Sequence, residues 1–377
     1  MTAQTLDHRV AGIADTDLVA MLDEAGLTGR GGAAFSTARK LEVARRHDAT
    51  LIVNACDGEL DAAKDAWVVE CHLDELRHGA ALIGAPRIRY AAHRDSPTSA
   101  QLRAAGLDVL EVPRRYVSSE ESSLARLAAG GTARPVAKTR LLMAGTHDAQ
   151  DRRVPPTVVF NAETVLRIGQ LHLWGGPRWF RSFGTADEPG PRLVTVVGAV
   201  AEPGVIETEA GVPLRRLLDL AGGVGSGPGR PIALEINGLG GGWLTWAQAH
   251  EATWSTAYLR RFGLTTGAAV LRVHDASSCP VEHVLARLDY AAGESAGQCG
   301  PCMFGVPAVA ADLRALADGD ANAASRLTTR LAQLPGRGAC RFPDGVAGYA
   351  ASALRVFADH WPDHHEPCRA SAGTRTP

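Results

Sequence analysis

Lysine is almost missing from this 377-residue chain: of 39 basic residues, only Lys40, Lys64 and Lys138 are lysines. Arginine supplies the generic positive charge. A lysine that remains marks a place where a compact, flexible ammonium suits better than a planar guanidinium. Long apolar runs are also lacking, and no stretch is long enough to span a bilayer. Neither sign of charge is in excess; the formal net charge is −2, which gives no electrostatic case for a nucleic-acid partner. Met1 to Asp17 carries charges and no apolar core, so no secretory signal is expected. The seven cysteines are irregularly spaced. With no export signal, they predict a reducing compartment, the cytoplasm, where grouped cysteines are ligands or redox thiols rather than staples.

Length and composition, 45% hydrophobic and 21% charged, fit a globular protein of two or three domains. The spacing predicts a helix over 15–26, capped by Asp15 or Thr16. A glycine-rich loop from Gly26 to Thr37 follows, and then a helix over 37–47 capped by Ser36 or Thr37. Leu51–Val53 reads as a buried strand running into the polar loop Asn54–Asp65. Helices near 72–83 and 98–105 alternate with strands near 87–92 and 109–112, which predicts an α/β layer with a mostly parallel sheet. Segments 116–127 and 162–173 read as further helices. The texture changes after residue 188. Short strands at 192–198, 204–207, 232–236 and 270–273 surround one helix at 213–220, the pattern of a small β-grasp domain. From Pro280 the sequence turns helical again, at 280–291, 304–317, 321–333 and 343–359, and a four-helix bundle is expected. The expected domains are 1–188, 189–276 and 277–365, with 366–377 a loose tail.

Three stretches carry chemistry. A glycine-rich loop entering a helix lets backbone N–H groups approach an anion, helped by the partial positive charge of the helix start; Lys40 lies one turn in. Alone, such a loop is equally a structural turn. The Asn54–Asp65 loop follows a strand, where α/β sheets bind ligands, though an acidic loop is also an ordinary solvated turn. Near the C-terminus, Glu294-Ser295-Ala296-Gly297-Gln298-Cys299-Gly300-Pro301-Cys302 places thiols at i and i+3, and Cys340 follows. Three converging thiolates suit an iron–sulfur cluster or a zinc ion. Cys-Gly-Pro-Cys is also a redox dithiol of thioredoxins, but that site follows a central strand, whereas this one lies between helices. Cys56 and Cys71 read as small buried apolar residues.

Taken in order, these motifs resemble the flavin-bearing, NADH-oxidising subunit of respiratory complex I and its relatives in soluble hydrogenases and formate dehydrogenases, over about residues 18–360. The family's G-R-G-G-A-G-F-P-T-G-x-K is matched by Gly29 to Lys40, and its N-A-D-E-x-E-P-G-x-x-K-D by Asn54 to Asp65. Its Y-x-x-G-E-E is matched by Tyr116 to Glu121, and its V-N-N-x-E-T by Val159 to Thr164. Its E-S-C-G-x-C-x-P-C is matched by Glu294 to Cys302, with Cys340 at the distant cysteine. All three lysines fall at matching positions.

The resemblance implies an α/β, Rossmann-like domain for FMN and NADH, then a β-grasp (ubiquitin-like, SLBB) domain, then a helical bundle with an iron–sulfur cluster. The implied cofactor-binding residues are Gly29, Arg30, Gly31, Gly32, Lys40, Asn54, Asp57, Tyr116, Glu120, Asn161 and Thr164. Phe35, Glu59 and Glu121 would shape the NADH site. Cys299, Cys302 and Cys340 would hold a [4Fe-4S] or [3Fe-4S] cluster. No side chain need act as acid or base, because the cofactor carries the chemistry. The implied activity is an NAD(P)H dehydrogenase that passes electrons from NADH through FMN and the cluster to a protein acceptor, a small ferredoxin.

Departures from the pattern are specific. Ala296 stands at the first cluster cysteine, Cys56 at the loop aspartate and Phe160 at the first asparagine of the late motif. The proline–glycine after Glu59 is lost, and Val43 stands where an aromatic partner of Phe35 is expected. They fit a divergent, free-standing member, or alternatively a degenerate homologue that binds flavin or a partner without oxidising NADH. Cys279 is the available substitute for the missing cluster ligand.

Overall fold

The computed structural model describes residues 17–137, 140–148, 150–225, 229–361 and 364. Asp15, Thr16, Lys138 and the tail expected after residue 365 lie outside them. The first helix is Leu18–Ala25. Its cap is Asp17, whose carboxylate accepts from the Val19 N–H at 3.0 Å, and Gly26 closes it in the left-handed conformation. Ser36 caps the next helix, Thr37–Arg46, by accepting from the Arg39 N–H.

The first sheet is parallel throughout, with strands in the order Val109–Val112, Ile88–His93, Thr50–Asn54, Thr157–Asn161. The chain lays the first three strands in one direction from Thr50–Asn54. It then returns to place Thr157–Asn161 on the other side of that strand. The order therefore reverses between these two strands. A crevice opens at the carboxyl ends of parallel strands where order reverses, and Asn54 and Asn161 stand there side by side in register.

Two elements beside the crevice escaped the sequence reading. Lys64–Cys71 is a helix, not part of a loop, and Thr157–Asn161 is a strand. One expected helix is split: Tyr116–Ser119 is a 3-10 turn and Glu121–Ala128 the helix proper, with Glu120 capping it through the N–H groups of Ser122 and Ser123.

The second sheet is mixed, in the order Gly242–Thr245, Pro231–Ile236, Val270–Asp275, Pro191–Gly198, Gly204–Glu209. Leu214–Leu220 packs on it, giving the expected β-grasp character. The C-terminal region is built from Pro280–Gly293, Val306–Ala317, Ala323–Gln333 and Phe342–Val356, which share one core with Trp243 of the second sheet. Among the described residues no helix is long and apolar enough to cross a membrane.

The helices Leu73–Ile83 and Ala162–Leu173 cross at backbone distance. A Cβ on Gly79 would lie 2.1 Å from the Val165 carbonyl oxygen, and one on Gly169 would lie 2.3 Å from that of Glu75. Neither obstacle is a movable side chain, so Gly169→Ala must push the helices apart. The expected loss is about 3 kcal/mol of stability, read as a lowered thermal midpoint. An unchanged midpoint would show that the crossing is not this tight.

Candidate functional site

A cavity of about 810 Å³ occupies the crevice at the strand-order reversal. That is near the upper end for ligand sites. Its walls include Gly29, Gly31, Gly32, Phe35, Lys40, Asn54, Asp57, Glu59, Tyr116, Glu120, Glu121, Asn161, Thr164 and Cys340. The expected nucleotide residues are thus brought together, with one exception. Arg30 points away: its guanidinium donates to the carbonyls of Pro189 (2.9 Å) and Pro191 (3.4 Å) and lies over the Phe180 ring. Burial, reinforced by neighbouring Arg192, lowers its pKa to about 9. Its side chain braces the loop from behind, while its backbone N–H donates to Thr164 Oγ1 at 2.9 Å.

The glycine loop fits an anion. The Gly29 N–H is used internally, bonded to the Phe35 carbonyl at 2.9 Å. Among the described residues the N–H groups of Gly31 and Gly32 meet no protein acceptor, so both are open to a ligand. A Cβ on Gly31 would lie 3.5 Å from the Asn161 side chain, and one on Gly32 would lie 3.6 Å from Gly267. Side chains there would fill the cradle. Lys40 supplies the cation: its Nζ donates to Glu121 Oε1 at 2.5 Å and to the Val159 carbonyl at 2.7 Å, and lies 5.5 Å from the Phe160 ring centre.

The floor is a closed polar network. Lys64 is 2% exposed. Its Nζ lies 3.0 Å from Asp65 Oδ1, 2.8 Å from Asn161 Oδ1 and 3.1 Å from Glu163 Oε2. Burial alone would lower its pKa, but Asp65, Glu163 and Asp57 together raise it. Asn161 also donates to Asp65 Oδ2 at 2.6 Å. Asp57 accepts from the N–H groups of Asp65 (2.9 Å) and Ala66 (2.7 Å), so its carboxylate holds the start of the Lys64–Cys71 helix. Asn54 accepts from the Cys56 N–H and donates to the Ser119 carbonyl. Lys64 and Asp65 were the site residues that sequence reasoning underrated; their signal was the scarcity of lysine.

Glu59 ties the acidic loop to the second sheet. It accepts from Tyr116 Oη (2.5 Å) and from the N–H groups of Leu60 (2.9 Å), Leu239 (3.1 Å) and Gly240 (2.9 Å). Burial raises its pKa to about 7, even though these donors pull the other way. Leu239, Gly240, Thr265 and Gly267 from the second sheet, and Gly338, Phe342 and Gly345 from the helical region, also line the cavity. No motif announced them.

Cys302 is buried, and Cys299 and Cys340 are half-buried. Burial raises the Cys340 thiol to about 11, with nearby Glu120, Cys302 and Cys299 adding to the effect. A thiol so raised becomes a thiolate only beside a cationic centre. The arrangement does not suit zinc. A tetrahedral zinc with 2.3 Å bonds holds its sulfurs about 3.8 Å apart. Among the described residues, only Glu235, His274 and His283 form a group of three or more ligating side chains whose donor atoms lie within 4.8 Å of one another. The three cysteine sulfurs do not meet that spacing; a multi-iron cluster, whose thiolates sit on separate iron atoms, holds them farther apart.

The Ala296 N–H points at Cys302 Sγ, 3.3 Å away, and offers no ligand. Cys279 does not replace it. It caps the N-terminus of Pro280–Gly293, whose 14 residues set it about 21 Å from the end that leads into the cysteine loop.

Three sequence families match this chain in order: the Nuo51 FMN-binding domain at residues 22–170, the SLBB domain at 193–238 and the NADH-ubiquinone oxidoreductase-F iron–sulfur binding region at 282–364. A subunit of the NADH-quinone oxidoreductase of Streptomyces coelicolor is 26% identical over 95% of this chain and 85% of its own length. Its Escherichia coli counterpart is 27% identical over 93% and 85%. A chain of an NAD+-reducing [NiFe]-hydrogenase superposes with a TM-score of 0.81 at 27% identity, covering 95% of this chain and 66% of that one. Over nearly its whole length the chain is similar to the complex I subunit, and it matches the models of the FMN-binding domain and of the iron–sulfur binding region.

The raised Glu59 predicts a pH effect. Between its ordinary value of 4.5 and its folded value of about 7, the folded chain holds a proton that the unfolded chain has lost. Stability from this group is therefore full below 4.5 and falls as pH rises through about 7. Asp57, raised to about 7 mainly by burial, acts in the same direction. Glu59→Gln should flatten part of the fall in thermal midpoint between about pH 4.5 and about pH 7.5. A variant profile parallel to wild type would refute the assignment.

Proposed function

We propose that this relative of the flavin-bearing complex I protein oxidises NADH and delivers the electrons, through its iron–sulfur region, to a small ferredoxin-type protein. The observation that carries this reading is the single cavity, with the glycine cradle and Lys40 in its walls together with Cys340. When bound, FMN accepts a two-electron hydride equivalent and releases electrons singly, which is the conversion needed between NADH and an iron–sulfur protein. Gly31 and Gly32 would hold its phosphate through their N–H groups, with Lys40 as the nearest cation. Asn54 and Asn161 would face its polar edge, oriented by Ser119 and Lys64. Phe35 is 46% exposed and offers a flat apolar face to the dinucleotide. Glu121 and Glu59 would bound the nicotinamide side, and Tyr116, held by Glu59, would line it. Glu120 acts through the Glu121–Ala128 helix that it caps.

A second reading, a homologue that keeps flavin but no longer oxidises NADH, is favoured by Phe160 in the cavity wall and by Val43, which is packed against the core instead of beside Phe35. The absorption spectrum of anaerobic protein separates the two. A flavin band bleached by NADH supports the first, and a flavin band indifferent to NADH supports the second. Protein that stays colourless after reconstitution overturns both.

Two substitutions divide the cavity. Lys40→Ala should weaken flavin retention about tenfold or more, because it removes a charged donor; normal flavin content would end that role. Glu121→Gln should shift the KM for NADH or kcat while flavin stays bound. Unchanged kinetics would place Glu121 outside the nucleotide site.

The three cysteines generate a further expectation. A cubane cluster normally takes one thiolate per iron, so three leave one corner open. Electron paramagnetic resonance with iron and sulfide analysis should find either an oxidised three-iron signal or a four-iron cluster that loses iron readily. Absence of iron and sulfide after anaerobic reconstitution would defeat the assignment.

A further inference from the structure

Away from the cavity, three metal-ligating side chains converge where the second sheet meets the helix that leads to the cysteines. Glu235 lies on Pro231–Ile236, His274 on the neighbouring strand Val270–Asp275 and His283 in the first turn of Pro280–Gly293. In the antiparallel register His274 opposes Ala233, two residues from Glu235, so both side chains stand on one face. Glu235 Oε2 is 3.1 Å from His274 Nε2 and 3.0 Å from His283 Nε2.

These separations match neighbouring ligands around a small divalent ion. With bonds of 2.0–2.2 Å, cis or tetrahedral ligands lie about 2.9–3.5 Å apart. Two histidines with one carboxylate are a recurrent ligand set for zinc and ferrous iron. Glu235 is 2% exposed; its Oε1 atom is buried and makes no close hydrogen bond among the described residues, with the Arg287 Nε 3.8 Å away and the buried Tyr349 hydroxyl beside the carboxylate. Trp243 walls one side of the site, its ring 4.6 Å from His274 and 5.9 Å from His283.

The protein's own hydrogen bonds leave this cluster unresolved. His283 Nε2 faces the Glu235 acceptor at 3.0 Å and the Arg287 Nε–H donor at 3.2 Å. One ring nitrogen cannot both donate to the first and accept from the second. Arg287 is the competing cation, with Nε 3.8 Å from Glu235 Oε1, but its terminal nitrogen is anchored on Asp61. A metal ion needs to displace only the Nε contact.

We propose that Glu235, His274 and His283 form a binding site for one first-row divalent metal ion, zinc in the first instance, fastening the second sheet to the helix that ends at the cluster loop. The experiment is titration of chelator-treated, full-length holoprotein with zinc, and with cobalt as its spectroscopic substitute. One equivalent should bind and raise the thermal midpoint. The cobalt spectrum should show ligand-field bands without the thiolate charge-transfer band that binding to the cysteines would give. His274→Ala should weaken binding by at least about 100-fold, on the scale of metal-site losses. Arg287→Leu, which removes the competing cation and leaves all three ligands, should bind at least as tightly as wild type. Failure of both wild type and Arg287→Leu to bind either metal overturns the proposal. So does a thiolate band, or undiminished binding by His274→Ala.

Discussion

The site depends on one buried ammonium. Lys64 enters the interior at the first turn of its helix, where three carboxylates converge. A buried charge is tolerable only when it is paired and fully hydrogen-bonded. Asp65, Glu163 and Asn161 meet that condition, and in doing so they draw together the acidic loop and the helix after Thr157–Asn161. Glu163 carries the tie onward by accepting from the Leu193 N–H at 2.8 Å, on the first strand of the second sheet. The placement of Asn161, and hence of the crevice wall, follows from that network. Both lysines within the described residues end beside carboxylates in this cavity, which is the physical content of their scarcity.

Much of this was legible in the sequence because it is local. The Ala162–Leu173 helix, the glycine loop with Ser36, and the strand before Asn54 all follow from periodicity and capping chemistry. The Lys64–Cys71 helix was hidden because its start is charged and its cap comes from Asp57, well before it, rather than from the preceding residue. Thr157–Asn161 was hidden because a short apolar run beside a helix gives no period of its own. Leu239, Gly240 and Gly267 reach the cavity only through packing of the second sheet on the first. No local pattern encodes that, just as no spacing rule shows that Arg30 turns away from the loop whose motif it belongs to.

The departures from the family pattern are accommodated in different ways. Cys56 lies beneath the sheet among Ile52, Ala91 and Leu124, and does not line the cavity. Burial first, then Asp65 and Asp57, raise its thiol, so it stays neutral where the pattern has a carboxylate. That removes one negative charge from a loop already crowded with Asp57, Glu59 and Asp65. Phe160 is different: it lines the cavity and puts an apolar ring near Lys40. The chain has changed the polarity of one wall while keeping the cations and the cradle.

Continuity between the two ends of the site rests on Tyr116. Its hydroxyl is fixed by Glu59, its N–H by Glu294 (2.7 Å), and its ring lies 4.9 Å from Phe342. Glu294 opens the segment that carries Cys299 and Cys302, and Phe342 follows Cys340 by two residues. One residue therefore touches the acidic loop and, through its backbone N–H and its ring respectively, the two cysteine-bearing segments. Glu59 extends the contact to Leu239 and Gly240 of the second. Because Glu59 is half-buried and bonded to Tyr116, Leu239 and Gly240 at once, a change in its charge is felt along the whole junction rather than at one wall. The same burial that raises its pKa makes the alignment of the nucleotide cradle and the cysteines a single structural variable.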